Sequence, residues 1–386
     1  MTRRLILMIN RILSPATCLL VVMSVLWGCT PESDSSSDTG FAGLATRLKS
    51  NDSGASGTRF RQPVPGDTIE LPRDLGPHPQ HRIEWWYLTA NLHTPDGQSV
   101  GLQWTQFRQA IKPRAPGQPP PLPADWPLES VWMADAALSF QGQHRFREKL
   151  ARGGIGHAGA QATPFQVWLD DWQLSADAQG RWHLSVATEN WRYQLTLERQ
   201  QPPVRHGDNG FSAKSPSGEG SMYFSYVAIR ITGTVTVGDQ TWPVAGVGWF
   251  DREWSSQFLK TGQQGWDWMG LHLDSGANVM VFRLRSGNDQ YRAGTWISPS
   301  GEITPLKRGD ISLEAVGFRR TGLGRVPVRW RLEIPSQKLA VTVAVASGEF
   351  WNQGLFPYWE SPVAIEGSET GKGYIELTGY QQAGQK

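Results

Sequence analysis

From Leu71 to the C-terminus the chain is built of short runs rich in Trp, Val, Tyr and Thr, each closed by Gly, Pro, Asp or Asn. Aromatic and β-branched side chains fit a pleated, half-buried surface, and few windows sustain a helical period, so this pattern predicts an all-β protein. The strand reading begins at Ile83–Leu92, which turns through Pro95-Asp96-Gly97 into Val100–Ile111 as a hairpin. Pro113–Pro127 is too rich in proline for a sheet interior and reads as a surface loop. Further predicted strands are Val131–Phe140, Phe165–Leu174, Trp182–Thr188, Tyr193–Glu198, Met222–Thr236 and Val244–Trp254, together enough to close a barrel.

A second, shorter series starts at Gly265 and repeats the order of features of the first. Trp266-Asp267-Trp268, Leu271-His272-Leu273 and Asp274-Ser275-Gly276 follow the pattern of Glu84-Trp85-Trp86-Tyr87, Asn91-Leu92-His93 and Asp96-Gly97. Near the end of each half, Gly248-Trp249-Phe250-Asp251 is matched in kind by Gly373-Tyr374-Ile375-Glu376. Two landmarks repeated in one order favour duplication over chance likeness between hairpins. The reading is two related antiparallel barrels in tandem that meet near Ser255.

Chemistry concentrates in Trp249-Phe250-Asp251-Arg252-Glu253-Trp254, where three charges interrupt a run that otherwise reads as a buried strand. An ion taken from water without a partner costs several kcal/mol, so such charges are paired, neutralised or functional. Alternation puts Val247, Trp249, Asp251 and Glu253 on one face and Phe250, Arg252 and Trp254 on the other. Facing a cavity, Asp251 is a candidate Brønsted acid beside Trp249; paired with an Arg of a neighbouring strand, it is a structural plug. Glu84 is a second such carboxylate. It shares a strand face with Trp86, while Trp85 and Tyr87 share the other. Arg108 beside Phe107 and Arg230 near Tyr226 suit stacking on Trp or pairing with an acid. Candidate ligand contacts are Glu84, Trp86, Tyr87, Arg108, Tyr223 and Tyr226.

The N-terminus reads as an export signal over residues 1–28, with Arg3, Arg4 and Arg11 before the apolar run Leu19–Leu26. Gly28-Cys29 resembles a bacterial lipobox, which makes Cys29 the lipidated first residue of the mature chain; an ordinary cleaved signal or an uncleaved anchor is the alternative. Thr30 in place of Asp favours the outer membrane, facing the periplasm. Residues 29–70 read as a flexible tether rich in Ser, Gly, Asp and Thr, with Leu44–Lys49 as a short helical turn. Residues 71–255 and 256–386 are the two barrel domains. The only other cysteine, Cys18, lies inside the signal, so the mature chain is expected to lack disulfide and thiol chemistry.

Loss of the three signal arginines takes the formal charge from +2 to −1, which leaves no basic excess for nucleic acid. No Gly-rich phosphate loop opens a helix, no Gly-x-Ser-x-Gly elbow occurs, and His78, His81 and His206 have no metal-ligand spacing with a third ligand. Asp208-Asn209-Gly210 is read as a turn. With 19 Trp, aromatic surface is the compositional signal.

Glu84-Trp85-Trp86-Tyr87, His206-Gly207-Asp208 with Lys214, Ser221–Arg230, Gly248 to Trp254, Trp266-Asp267-Trp268 and Gly373 to Tyr380 together resemble the AttH and carotenoid 1,2-hydratase family. The resemblance spans about Leu71–Tyr380 and implies two lipocalin-like barrels. It also implies protonation of an isoprenoid double bond and capture of the tertiary cation by water, without a cofactor. Asp251 would be the acid, with Trp249 facing the cation. Where the hydratase pattern has a His near a Trp, this chain carries Met222-Tyr223-Phe224-Ser225-Tyr226. An exported lipoprotein is closer to the AttH branch, whose members look like partners of ABC exporters. The readings are therefore an envelope lipoprotein whose barrel holds a lipid or isoprenoid, a hydratase using Asp251, and a carbohydrate-active protein using Glu84 and Asp251 as paired acids.

Overall fold

The computed structural model describes residues 59–114, 118–119, 122, 128–257, 263–287 and 289–381. The segments predicted as export signal, lipidation site at Cys29 and tether helix, and most of Pro113–Pro127, lie outside the described residues. Strands β1 (Ile83–His93), β2 (Ser99–Ala110), β3 (Ser130–Phe140) and β4 (Gln143–Arg152) form one meander. A second comprises β5 (Ala158–Ala162), β6 (Phe165–Leu169), β7 (Trp172–Ala176), β8 (Trp182–Ala187) and β9 (Trp191–Arg199). After the short β10 (Val204–Arg205) and β11 (Phe211–Ala213), the long hairpin of β12 (Gly220–Val237) and β13 (Gln240–Ser255) joins the two, with β13 against β1 and β12 against β9. β6 folds back against β2, β3 and β4, where Gln106 Nε2 donates to the Trp168 carbonyl at 2.7 Å, so the sheet curls into a near-closed barrel.

The second sheet contains β14 (Gln263–Leu273), β15 (Asn278–Ser286), β16 (Asp289–Ile297), β17 (Ile303–Leu306), β18 (Ser312–Arg320), β19 (Arg325–Ile334), β20 (Leu339–Val345), β21 (Trp351–Asn352), β22 (Tyr358–Gly367) and β23 (Gly371–Leu377). Its first strand pairs with its second and its last, as β1 pairs with β2 and β13. The protein is all-β, with two antiparallel barrel-like sheets in tandem. The segment Phe165–Leu174, predicted as one strand, is a hairpin of β6 and β7 that turns at Asp170, whose left-handed φ of 51° an Asp side chain tolerates. β4 is absent from the sequence reading because its half-exposed, charge-rich residues hide the alternation.

Each barrel is filled by side chains. Trp86, Trp104, Trp172 and Trp182 are fully buried inside the first, and Trp330 and Trp359 inside the second. Each also contains an acid on its first strand directly opposite an arginine on its second: Glu84 against Arg108, and Asp267 against Arg283. The Glu84 carboxylate touches the guanidinium groups of Arg108 and Arg252 and accepts the backbone N–H of His78 at 3.0 Å. Arg252 lies 3.9 Å over the Trp86 ring, and the His78 ring stacks on Trp254 at 3.8 Å. Burial works to raise the Glu84 pKa, but Arg108 and Arg252 hold it well below the usual carboxylate range. Asp267 is paired with Arg283 at 2.6 Å and accepts the Tyr380 hydroxyl at 2.8 Å.

A third apolar cluster belongs to both sheets, with Tyr87, Tyr223 and Trp249 from the first against Trp268, Phe282 and Tyr374 from the second. The close approach depends on Gly101, where a Cβ would stand 2.6 Å from the Tyr374 hydroxyl and 3.1 Å from Pro362 Cγ. Polar contacts cross as well. Tyr358 donates to Asp135 at 3.1 Å, Tyr87 donates to Glu360, and Asn91 Nδ2 donates to the Gly373 carbonyl at 3.1 Å. Burial raises Asp135 and Glu360 well above the usual range, and Glu376 to about 8. These acids are held as neutral hydrogen-bonding groups.

Glu84→Gln strands Arg108 and Arg252 inside the barrel and is expected to lower the unfolding free energy by about 3–5 kcal/mol, read from urea denaturation. Glu376 has the opposite linkage, because the folded state holds a proton that the unfolded state releases. Its contribution to stability is fully present below pH 4.5, its ordinary value, and is lost as pH rises towards 8. Glu376→Gln is expected to remove up to about 1.4 kcal/mol per pH unit of slope in that window, measured as the urea midpoint against pH.

Candidate active site between the two barrels

The alternation along β13 decides where its charges go. Phe250, Arg252 and Trp254 point into the first barrel, whereas Trp249, Asp251 and Glu253 point at the second. Between the barrels lies a cavity of about 170 Å³. Trp85, Tyr87 and Tyr223 form one wall and Trp266, Trp268, Phe282 and Leu284 the other, with Asp251 and Glu376 among them. The volume is close to the ~150 Å³ of a buried apolar cavity that accepts one benzene ring, so it suits a single small apolar group of a larger ligand.

Asp251 is buried and has no ion-pair partner among the described residues. Oδ1 accepts the Trp249 indole N–H at 2.6 Å and touches the Ser225 hydroxyl; Oδ2 lies 2.8 Å from the Tyr223 hydroxyl. Tyr223 in turn accepts the Trp268 indole N–H from the second barrel at 3.1 Å. Burial pushes the Asp251 pKa up to about 7, against the pull of these Ser225, Tyr223 and Trp249 donors. A carboxyl group in this state gives or takes a proton near neutrality, which is what general acid–base chemistry requires.

Other polar groups sit at one end of the cavity. Lys214 Nζ is 3.0 Å from Glu253, whose carboxylate also receives the Ser221 hydroxyl, and lies 4.3 Å over the Phe282 ring. Behind Asp251, His206 Nε2 is 2.6 Å from Ser225 Oγ, and its Nδ1 is 2.8 Å from Thr295 Oγ1 of β16. Burial lowers the His206 pKa to about 3, so the ring is neutral. Its placement depends on Gly207 at φ +66°, where a Cβ would stand 2.2 Å from the Phe211 carbonyl oxygen.

The structure thus brings Asp251, Trp249, Tyr87 and Tyr223 together at this cavity and places Glu84, Trp86, Arg108 and Tyr226 elsewhere. Glu84 and Arg108 form the ion-paired plug, Trp86 lies beneath Arg252, and Tyr226 packs on Trp182 at 5.4 Å inside the first barrel. Three expectations change accordingly. The plug reading describes Glu84 rather than Asp251; the filled first barrel moves the candidate site from a lumen to the junction; and Glu84 and Asp251, on opposite faces of the sheet, do not form one pair of acids in one cleft. Arg230 pairs with Glu198 at the surface.

Sequence reasoning missed Ser225, Thr295 and Trp268 as site residues and left His206 without a role. The only signal was the motif His206-Gly207-Asp208 with Lys214, since no local spacing connects His206 to Asp251 or Thr295. Among the described residues no group of His, Cys, Asp and Glu is arranged to hold a metal ion.

Comparison with known proteins gives the lineage. The AttH-like family model matches residues 62–380. The crystal structure of a candidate AttH protein from Nitrosomonas europaea is 30% identical, with a TM-score of 0.74, over 83% of this chain and all of that one. Kievitone hydratase from Nectria haematococca shares the fold at 13% identity and a TM-score of 0.62, over 83% of this chain and 98% of its own. No curated protein matches the sequence. The chain belongs to the AttH-like family.

Proposed function

We propose that the cavity between the barrels takes an apolar, unsaturated group of a lipid- or isoprenoid-like molecule and that Asp251 is the acid acting on it. The observation carrying this reading is a buried carboxyl group near neutrality, with no ion-pair partner among the described residues, in a cavity walled by Trp, Tyr and Phe. In water a carboxylic acid is ionised at neutral pH and gives up no proton. Burial restores that proton, and the aromatic faces favour positive charge as it develops.

In the forward direction the Asp251 proton adds to one alkene carbon and the π pair forms the new C–H bond, leaving a cation on the neighbouring carbon. Water attacks that carbon and returns a proton to the Asp251 carboxylate. The product is an alcohol, the acid is regenerated, and no redox partner takes part. Elimination of water runs the same steps backwards. A carrier that binds such a molecule without turnover would use the same aromatic walls but have no need for the Asp251 proton.

An envelope location, lipidation of Cys29 and partnership with an ABC exporter belong to the same proposal, supported by residues 1–30 and by the family resemblance. Cys29→Ser is expected to move the protein from the membrane to the soluble fraction on cell fractionation.

Turnover is measured by incorporation of ¹⁸O from labelled water into a panel of linear isoprenoids and prenylated phenols, read by mass spectrometry. Asp251→Asn is expected to lower incorporation by about 10²–10⁴-fold while the urea midpoint stays near that of the parent. Because the protonated form acts, the rate should be flat below pH 7 and fall about tenfold per unit above it. Full activity in Asp251→Asn would overturn the assignment. Panel compounds that bind without incorporating label would favour the carrier.

A further inference from the structure

Asp251 holds its proton inside a set of donors whose directions are partly fixed by chemistry. The Trp249 indole N–H can only donate, and at 2.6 Å it donates to Oδ1. An indole donor prefers a carbonyl-like oxygen to a hydroxyl oxygen, which favours placing the acid's proton on Oδ2, towards Tyr223. Ser225 Oγ also touches Oδ1. For Oδ1 to stay free of the proton, Ser225 gives it the one hydroxyl hydrogen it has, so towards any other neighbour its oxygen can only accept. His206 Nε2, 2.6 Å away, is then the donor to that oxygen. The ring then carries its hydrogen on Nε2, leaving Nδ1 to accept from the Thr295 hydroxyl at 2.8 Å.

We infer that His206 is a positioning residue for the acid: acting through Ser225, it keeps a hydrogen bond on Asp251 Oδ1 and the transferable proton on Oδ2, while the Thr295 hydroxyl of the second barrel satisfies its other ring nitrogen. The inference rests on the reading of Asp251 as the acid. Every group in the line is buried, with His206, Ser225 and Thr295 all at 0% exposure, so water does not compete for these bonds. When the proton leaves Oδ2, the Trp249 and Ser225 donors already aimed at Oδ1 stabilise the new charge without rearrangement. In the opposite tautomer His206 Nδ1–H would donate to Thr295, Nε2 would draw the Ser225 hydroxyl away, and the carboxylate would lose a donor.

The other titratable groups facing Asp251 are Tyr223, Glu253 two residues along its strand, and Glu376 from the second barrel; His206 also feels Lys214. A test must separate His206 from these. Multiple-bond ¹⁵N–¹H NMR of the full chain labelled at histidine distinguishes Nδ1–H, Nε2–H and imidazolium rings, with His206 assigned by its loss in His206→Gln or its displacement in Asp251→Asn.

The expected result is a neutral Nε2–H ring whose nitrogen shifts inflect as Asp251 titrates, an inflection missing in Asp251→Asn. Ser225→Ala should release the ring to Nδ1–H, with Thr295 as its acceptor, and weaken Asp251 as an acid about tenfold, one pH unit in its midpoint. An Nδ1–H or charged ring in the parent, or an inflection that survives Ser225→Ala, would overturn the proposal. The parent spectrum decides the tautomer even where a variant fails to fold. No substrate enters these measurements. A failed relay with label incorporation still dependent on Asp251 sinks this inference alone, while an intact relay with full activity in Asp251→Asn sinks the acid reading.

Discussion

A strand covered on both faces has no solvent to which it can send a charge. From Gly248 to Ser255 every residue of β13 is buried, because the first barrel closes over one face and the second barrel over the other. Three ionisable side chains within this stretch must each be satisfied locally, and the two faces solve the problem differently. Inside the barrel Arg252 is ion-paired with Glu84, joined by Arg108 and stacked on Trp86. Towards the junction Glu253 pairs with Lys214, whereas among the described residues Asp251 has hydroxyl and indole donors only, so desolvation dominates and the group is partly neutral near pH 7. One strand thus holds a structural ion pair and a desolvated carboxyl group, separated by the sheet between them.

The second barrel completes the site rather than merely flanking it. Trp268 donates to the tyrosine that faces Asp251, Phe282 and Leu284 complete the apolar wall, and Thr295 reaches the histidine behind the acid. The two barrels meet through equivalent positions. Each barrel has its acid–arginine pair between the first and second strands, and each carries an acid without an ion-pair partner among the described residues, Asp251 or Glu376, near the end of its last strand. Because the barrels pack through those strands, both of these acids face the same cavity.

Much of this was legible in the chain. Period-two patterning, turn residues and repeated landmarks were sufficient for two antiparallel barrels, and the same period sorted Asp251 from Arg252 and Trp85 from Trp86. Asp251 and Trp249 stood out because charge beside Trp in a buried run demands an explanation. The candidate residues divide between the first barrel's interior and the junction, since alternation says which residues share a face but not what covers that face. Glu84 and Asp251 look alike in sequence, and only the arginines on the two strands flanking β1, 24 and 168 residues distant, distinguish them.

The sequence by itself determined the class of fold, the family and the identity of the buried acid, because these follow from local periodicity and from motifs read along one strand at a time. Only the tertiary structure decided that the barrels are filled, that the candidate site lies between them, and that His206, Ser225 and Thr295 form one line behind Asp251. Those three residues come from a turn, a strand of the first sheet and a strand of the second, with no common spacing. Proton position depends on hydrogen bonds a few ångströms long, and such contacts exist only once the two sheets have closed on each other.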